Sequence, residues 1–518
     1  MILKTVNNTS QRKIILYLLI LVTVCISVRL YFLPFETPFK TDAIDYFSFA
    51  FEISKTQQFP TGILKTNDGW SLFLSPIFSI IGQSDMMNLI NAQRITSIVI
   101  SSLTVIPVYL LCKRFVSSNY AIIGACLFGF SHRLMENSIL GLTESIFIFL
   151  TTFFLYFSLS KNSKLYVFSF IFLALSSIVR YESLLFLVPI SIFFFIKFRK
   201  EKNVHLKFSL FILLFILILL PIATIRMDSN NMDGLTSHVF GGITNPAKYS
   251  SISENKIETS IKSENNFITN SFLNTLKFLV FVSIPLFIFF FPTGIYNLVK
   301  TKNSNLLYLL ILGAFMILPA MYAYGREIQD TRYLYVLFPI FCVISAYGLD
   351  VITKFQKSKY VVLILVIIVL SSILLLFYEQ PNYVYDNEIL YVTTDLVKTA
   401  NGVNNYPGNS YVKIATLEKN WPNSLPLDQD GKTSFFINKL SSKNYDSLEE
   451  YILAHKTSGL THLVLTESNR SLFFDELLIN YEEYSYLQKT FDSENHDFQN
   501  KIIVLKIDYK IFEEEIKK

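Results

Sequence analysis

Cysteine is scarce in this chain, and so is charge. Four cysteines, Cys25, Cys112, Cys126 and Cys342, are spread over 518 residues, none in CxxC spacing. That argues against a disulfide framework and against a thiolate zinc site. Six histidines are scattered, and only His132 falls near the outer end of an expected span, so a histidine metal centre has little support. Asp, Glu, Lys and Arg together make up 16% of the residues, with a net charge of +5. So small a surplus reads as membrane orientation and not as nucleic-acid binding. No internal repeat is visible.

What is present is apolar. Hydrophobic residues make up 52% of the chain, 49 of them Phe, and apolar runs of spanning length recur between short polar breaks, the pattern of a multi-pass membrane protein. Spans are expected at 14–33, 88–111, 118–135, 138–159, 165–181, 183–198, 207–226, 272–299, 305–324, 333–350 and 359–378, about eleven in all. The first follows Lys4, Arg12 and Lys13, exceeds a signal-peptide core in length, lacks a small-residue cleavage pattern, and reads as a retained helix.

With the N-terminus inside, the inner loops carry Lys113-Arg114, Lys161 with Lys164, the stretch 197–207, Lys300 with Lys302, and the stretch 354–359. All are basic, as the positive-inside rule requires, and an odd number of spans puts the C-terminus outside. Arginine runs against this. Arg29, Arg94, Arg133, Arg180, Arg226, Arg326 and Arg332 all fall at or near outer ends of spans. The planar guanidinium grips phosphate or carboxylate through two parallel bonds, so a set of outer arginines suggests an anionic ligand there. The plainer account is that they snorkel or pair with Glu136, Glu144, Glu182 and Glu327. Arg94 with Glu144 is the expected structural pair.

Two outer segments are long. The first, 34–87, opens on Thr41-Asp42-Ala43-Ile44-Asp45-Tyr46-Phe47. If helical, Asp42 and Asp45 share a face. They could be the N-cap and capping-box acid of an interfacial helix, or a general base and its neighbour at the mouth of a membrane enzyme. Two nearby carboxylates could also share a divalent cation, although no ligand set is complete and no metal site is assigned. Further on, Gly69-Trp70-Ser71-Leu72 to Pro76 is short for a span and should lie at the interface or enter partway. The second segment, 228–270, is polar, contains Gly241-Gly242 and reads as a lid.

Residues 1–378 thus form the membrane domain, and 379–518 a small outer α/β domain. Its strands are expected at 411–415, 462–466 and 501–506, with a helix over 448–454. It has no Gly-rich phosphate loop, and Asn469-Arg470-Ser471 is a formal glycosylation sequon.

Asp42, Ala43 and Tyr46 after the first helix, Asp68-Gly69-Trp70 to Pro76, Arg94 in the second span, Leu142-Thr143-Glu144-Ser145, Arg180-Tyr181-Glu182, and Thr331-Arg332-Tyr333-Leu334 to Pro339 stand in one order, on one side. Over residues 10–350 this order resembles the GT-C superfamily of membrane glycosyltransferases. The likeness is to the protein O-mannosyltransferase and aminoarabinose-transferase branch, in an archaeal-looking form. The resemblance implies a mainly α, polytopic GT-C fold and a polyprenyl- or dolichyl-phosphate-linked sugar donor. The acceptor would be a protein, lipid or glycan, and membrane lipids would be the other partners. It implies Asp42, with Asp45 second, as the base of an inverting transfer. It associates the Arg332-Tyr333 motif with the donor phosphate; among the outer arginines Arg180 is the second choice there, with Arg133 a further candidate. Ala43 stands where the family usually has a second acid. A transporter or flippase with the same charges lining a path is the rival; it predicts inverted repeats and broken midplane spans. A glycan ligase or polymerase is a third reading.

Overall fold

The computed structural model describes residues 2–35, 37, 42–59, 67–82, 86–230, 233–236, 264–284, 287, 290–301, 303–326, 328–353, 359–378, 384, 388, 391–392, 413–415, 424–425, 435–436, 445, 447–456, 460–466 and 477–517. Gly241-Gly242, most of the expected lid, Glu327 and the 469–471 sequon lie outside them.

The chain is mainly helical. In order come α1 (Ile2–Tyr31), α2 (Asp42–Thr56), α3 (Gly69–Ile81), α4 (Met86–Leu103), α5 (Val105–Cys112), α6 (Ser118–Gly129), α7 (His132–Ile139), α8 (Glu144–Ser158) and α9 (Ser163–Val179). A 3-10 turn, Tyr181–Phe186, leads into α10 (Leu187–Phe198) and α11 (Val204–Asn230). Then follow α12 (Glu264–Ser283), α13 (Phe291–Thr301), α14 (Ser304–Gly325), a second 3-10 turn, Thr331–Leu337, α15 (Phe338–Thr353) and α16 (Lys359–Tyr378).

Six described segments are long and apolar enough to cross a membrane by length and composition: Arg12–Tyr31, Met87–Cys112, Tyr181–Phe198, Val204–Asp228, Ser304–Gly325 and Thr331–Asp350. Shorter apolar helices accompany them. Two expected spans are drawn differently. The run 118–135 stops at Gly129, and the amphipathic α7 stands apart from it. The run 272–299 is broken into α12 and α13; the sequence between them contains Pro285, and Pro292 stands in the first turn of α13. Proline has no N–H to continue a helical ladder.

Contacts divide the chain into two units. The first comprises Met1–Leu33, Gln58–Phe73 and Gln93–Glu379. The second comprises Pro34–Gln57, Leu74–Ala92 and Gln380–Lys518, so parts of the first long outer segment group with the C-terminal piece instead of with the helices.

Phenylalanine does much of the packing in the first unit. Phe153 and Phe157 of α8 stack on Phe172 of α9, at 4.9 and 5.6 Å between ring centroids. Glycine does the rest where helices touch. A Cβ at Gly348 of α15 would lie 2.7 Å from the Gly294 amide nitrogen of α13, so only paired glycines let these backbones meet. In the second unit, Phe47 of α2 packs on Phe78 at 5.4 Å, and the Asn91 amide donates to the Phe35 carbonyl at 2.9 Å.

The C-terminal part of this unit holds a four-stranded sheet in the order β1-β4-β6-β5 and a two-stranded ribbon of β2 with β3. These strands are β1 (Lys413–Ala415), β2 (Ser424–Leu425), β3 (Phe435–Phe436), β4 (Leu460–Thr466), β5 (Leu487–Asp492) and β6 (Ile502–Ile507). β1 runs parallel to β4; the other two ladders of the sheet are antiparallel. Helices α17 (Leu448–Lys456) and α18 (Tyr509–Ile516) close a core of Tyr451, Leu463, Leu465, Leu505 and Phe512. The Glu388 carboxylate accepts the Gln499 amide at 2.6 Å and the Asn500 amide at 3.2 Å, fastening the start of this part to the turn before β6.

Candidate active site

The antiparallel pair α8 and α9 brings the beginning of one beside the end of the other. Glu144 lies in the first turn of α8, where the helix dipole favours an anion. α9 stops at Val179 because Arg180 turns extended, at φ −143° and ψ 114°. The Arg180 guanidinium meets Glu144 at 3.0 Å and Glu182 at 3.0 Å. Glu144 is almost wholly buried, and its other oxygen takes the Asn137 amide at 3.4 Å. The second oxygen of Glu182 is buried and has no hydrogen-bond partner among the described residues.

Gly141 stands three residues before Glu144. The Trp70 indole donates to the Gly141 carbonyl at 3.0 Å, and the Gln93 amide donates to it at 2.9 Å. The interfacial segment, the second span and the acidic motif of α8 thus converge on one carbonyl.

The 3-10 turn Thr331–Leu337 forms the facing wall. Asp330 caps it, accepting the Arg332 amide at 2.9 Å and the Arg332 Nε at 2.7 Å. The Tyr324 hydroxyl donates to the Asp330 carbonyl at 3.0 Å and ties the turn to the end of α14. Tyr333 lies under Arg180, with the guanidinium 5.5 Å from its ring centroid. Tyr335, two residues on, lies in the field of Arg133 and Glu136 of α7, and its hydroxyl bonds Thr331.

The seven outer arginines sort by what answers their charge. Arg226 and Asp68 form a buried two-bond pair. Gly234, at φ +65°, packs on that guanidinium; a Cβ there would lie 2.8 Å from Arg226 Cδ. Arg180 has two carboxylates, and Arg332 has Asp330. Arg29 is buried on Ser138 Oγ and the Cys25 carbonyl. Arg326 lies over Tyr322. Arg133 sits 4.3 Å over the Phe281 ring, its Nε buried without a hydrogen-bond partner, and meets no carboxylate among the described residues. Arg94 is buried on α4 in the same unit, and Glu144 meets Arg180 and Asn137. Sequence places both arginines at one membrane depth without telling which helix face they use. The antiparallel geometry of α8 and α9 was the available signal.

Asp42 and Asp45 lie in the first turn of α2, in the second unit, and both are exposed. Glu52, two turns beyond Asp45 on the same helix face, had not been singled out. Its half-buried carboxyl is raised above the ordinary range by burial, so it holds a proton more readily than a surface glutamate. Among the described residues no group of three or more His, Cys, Asp and Glu stands together for a metal.

The family model for dolichyl-phosphate-mannose-protein mannosyltransferase matches residues 72–225, a stretch that holds Arg133, Glu144 and Arg180. No curated protein sequence matches the chain. Among solved structures, the Archaeoglobus fulgidus oligosaccharyltransferase in its apo form superposes with a TM-score of 0.54 at 12% identity, covering 87% of this chain and 69% of that one. ArnT from Cupriavidus metallidurans in the apo state gives 0.56 at 10% identity, covering 97% and 99%. ArnT bound to undecaprenyl phosphate gives 0.55 at 10% identity, covering 95% and 98%. At such identities the likeness to these structures is one of fold.

Proposed function

We propose that this chain, a membrane glycosyltransferase of GT-C type, takes a sugar from a polyprenyl-phosphate carrier and passes it with inversion to an acceptor hydroxyl on the outer face. Two neighbours support the donor class: ArnT has been captured with undecaprenyl phosphate and the archaeal oligosaccharyltransferase with dolichol-phosphate. The observation that carries the reading is Arg133. It stands near Tyr335 of the 3-10 turn Thr331–Leu337, over the Phe281 ring, and forms no ion pair among the described residues. A guanidinium so placed suits a departing phosphate, whose charge grows as the sugar leaves.

The division of labour then differs from the order expected of the motifs. Arg133 takes the phosphate, with Arg332 alongside. Arg180, already balanced by two acids, acts as the strut that holds Glu182. The partnerless oxygen of Glu182 accepts a hydrogen bond from a sugar hydroxyl. In the chemical step the bond between the anomeric carbon and the phosphate oxygen breaks, and its electron pair leaves with the polyprenyl phosphate. The acceptor oxygen attacks the opposite face of that carbon, and its proton passes to a carboxylate base, the role that the sequence resemblance gives to Asp42 first and Asp45 second. Glu144 begins α8 and Ser158 ends it, so the site and the Lys-rich turns lie at opposite ends of the first unit, about 22 Å apart along that helix. By the positive-inside rule the site then faces outward.

The test is transfer from a defined polyprenyl-phosphate sugar by purified Arg133→Ala and Arg133→Lys. We expect Arg133→Ala to lower kcat about 10²-fold or more, and Arg133→Lys to recover only part, since an ammonium keeps the charge but not the paired donors. Wild-type turnover in Arg133→Ala would move the phosphate elsewhere.

A further inference from the structure

The opposite end of the first unit is built from three turns: 112–118, 159–163 and 199–203. They are physically joined. Arg114 of the first lies over Tyr156 of α8 at 4.5 Å. Ser163 and Lys207 both bond Glu201, at 2.7 and 2.6 Å, linking the second turn to the third. Glu201 is the single acid in the sequence of these turns, and this pairing uses it up.

Two cations here form no ion pair among the described residues. The Lys197 ammonium donates to the Ser158 carbonyl at 2.6 Å and lies 4.3 Å from the Tyr308 ring centroid and 5.5 Å from that of Tyr166. Its surroundings are aromatic rings and one carbonyl; no carboxylate meets it among the described residues. Arg114 is exposed, rests on an aromatic face, and likewise meets no carboxylate. Arg114 lies close enough to Lys197 for the two like charges to repel, and an anion between them would relieve that repulsion. On the lipid side, Val188, Ile192 and Ile196 of α10 form an exposed apolar stripe running toward Lys197. Charge at the head and an apolar face below match the amphipathic plan of a phospholipid.

We propose that this basic end seats one anionic phospholipid, its phosphate held between Lys197 and Arg114 and its acyl chains along α10. This differs from diffuse attraction to a negative leaflet, which any Lys or Arg of the turns would serve equally.

The experiment uses the full-length protein in nanodiscs and detergent, with phosphatidylglycerol, phosphatidylcholine or inorganic phosphate as probes. Native mass spectrometry reads the lipid retained, and thermal unfolding reads the gain in stability. Wild type is expected to keep one phosphatidylglycerol and to gain stability from it, and to do neither with phosphatidylcholine. The pair Arg114→Gln with Lys197→Gln should weaken retention roughly thirtyfold, and Arg114→Gln alone about fivefold. The exposed Arg114 tests the seat even if Lys197→Gln fails to fold. Lys161→Gln with Lys164→Gln removes the same charge from the neighbouring turn and should cost less than Arg114→Gln alone. Equal losses from both pairs would replace the seat with a diffuse surface. Undiminished retention in both Arg114 variants would overturn the proposal, and so would complete displacement by millimolar inorganic phosphate.

Discussion

Arg180→Met is the substitution that separates a strut from a phosphate ligand. Arg180 is about one-tenth exposed and meets carboxylates of Glu144 and Glu182, each at 3.0 Å. At an effective dielectric of about 20, charges this close attract by about 4 kcal/mol per contact before desolvation is subtracted. Removing the cation leaves Glu144, only 4% exposed, facing Glu182 with nothing between them. The expected cost is about 3–5 kcal/mol, the usual price for breaking a buried pair from one side. Glu182 is the more exposed of the two and can be partly hydrated, so Glu144 is where the penalty lands. Adding Glu144→Gln to Arg180→Met should therefore restore about 2 kcal/mol, a coupling within the range of contacting residues. Thermal and denaturant unfolding in detergent give the stability of the four proteins of the cycle, and titration with a polyprenyl phosphate gives donor affinity. The strut reading expects stability to fall and donor affinity to follow it only indirectly, with recovery in the double variant. Unchanged stability in Arg180→Met, together with lost donor binding that Glu144→Gln does not recover, would refute it.

Three other outcomes can be checked directly. Asp42→Asn should lower transfer about 10²- to 10⁴-fold in a folded protein, because the amide keeps the shape but takes no proton; Asp45→Asn should cost less, and the reverse order would hand the base role to Asp45. Burial and Lys506 across the ladder push the His462 imidazole in β4 down to about 4 from 6.5. The unfolded chain then binds the extra proton more readily. Stability at this site is complete above pH 6.5 and declines as pH falls toward 4, by about 3 kcal/mol in all. Hydrogen exchange of the β4 amides in the full chain should show that decline and lose it in His462→Gln. Finally, Gln488→Cys on the exposed edge strand β5 should react with an impermeant thiol reagent in intact cells, since the four native cysteines are all buried. Protection until lysis would place the C-terminal part inside and reverse the orientation.

Much of the helical plan was legible because apolar length and proline or polar breaks are local properties. The α8–α9 hairpin, α16, α17 and the β4 and β6 strands all fall where the pattern puts them. β5 was missed because Gln488, Lys489 and Thr490 face outward in succession, which leaves no alternation to read. The outer arginines were visible as a set, but not their partners. A spacing of 158 residues links Asp68 to Arg226, and nothing local in either segment announces the other. The same limit favoured Arg94 for Glu144, which Arg180 meets in the fold. Depth follows from position along a span; rotation about the helix axis follows from neighbours that only the folded chain supplies.

The Asp68–Arg226 pair also has a timetable. Asp68 leaves the ribosome 158 residues ahead of the guanidinium that will neutralise it. At synthesis rates of about 5–20 residues per second, that is a wait of roughly 8–30 s. Throughout it, a carboxylate destined for a fully buried position must stay hydrated, protonated or shielded by another cation. Helix α3 can therefore dock only provisionally until α11 has been inserted and has closed the pair. Nascent chains halted before residue 226 should leave the Trp70 region open to labelling, and chains halted well after it should not.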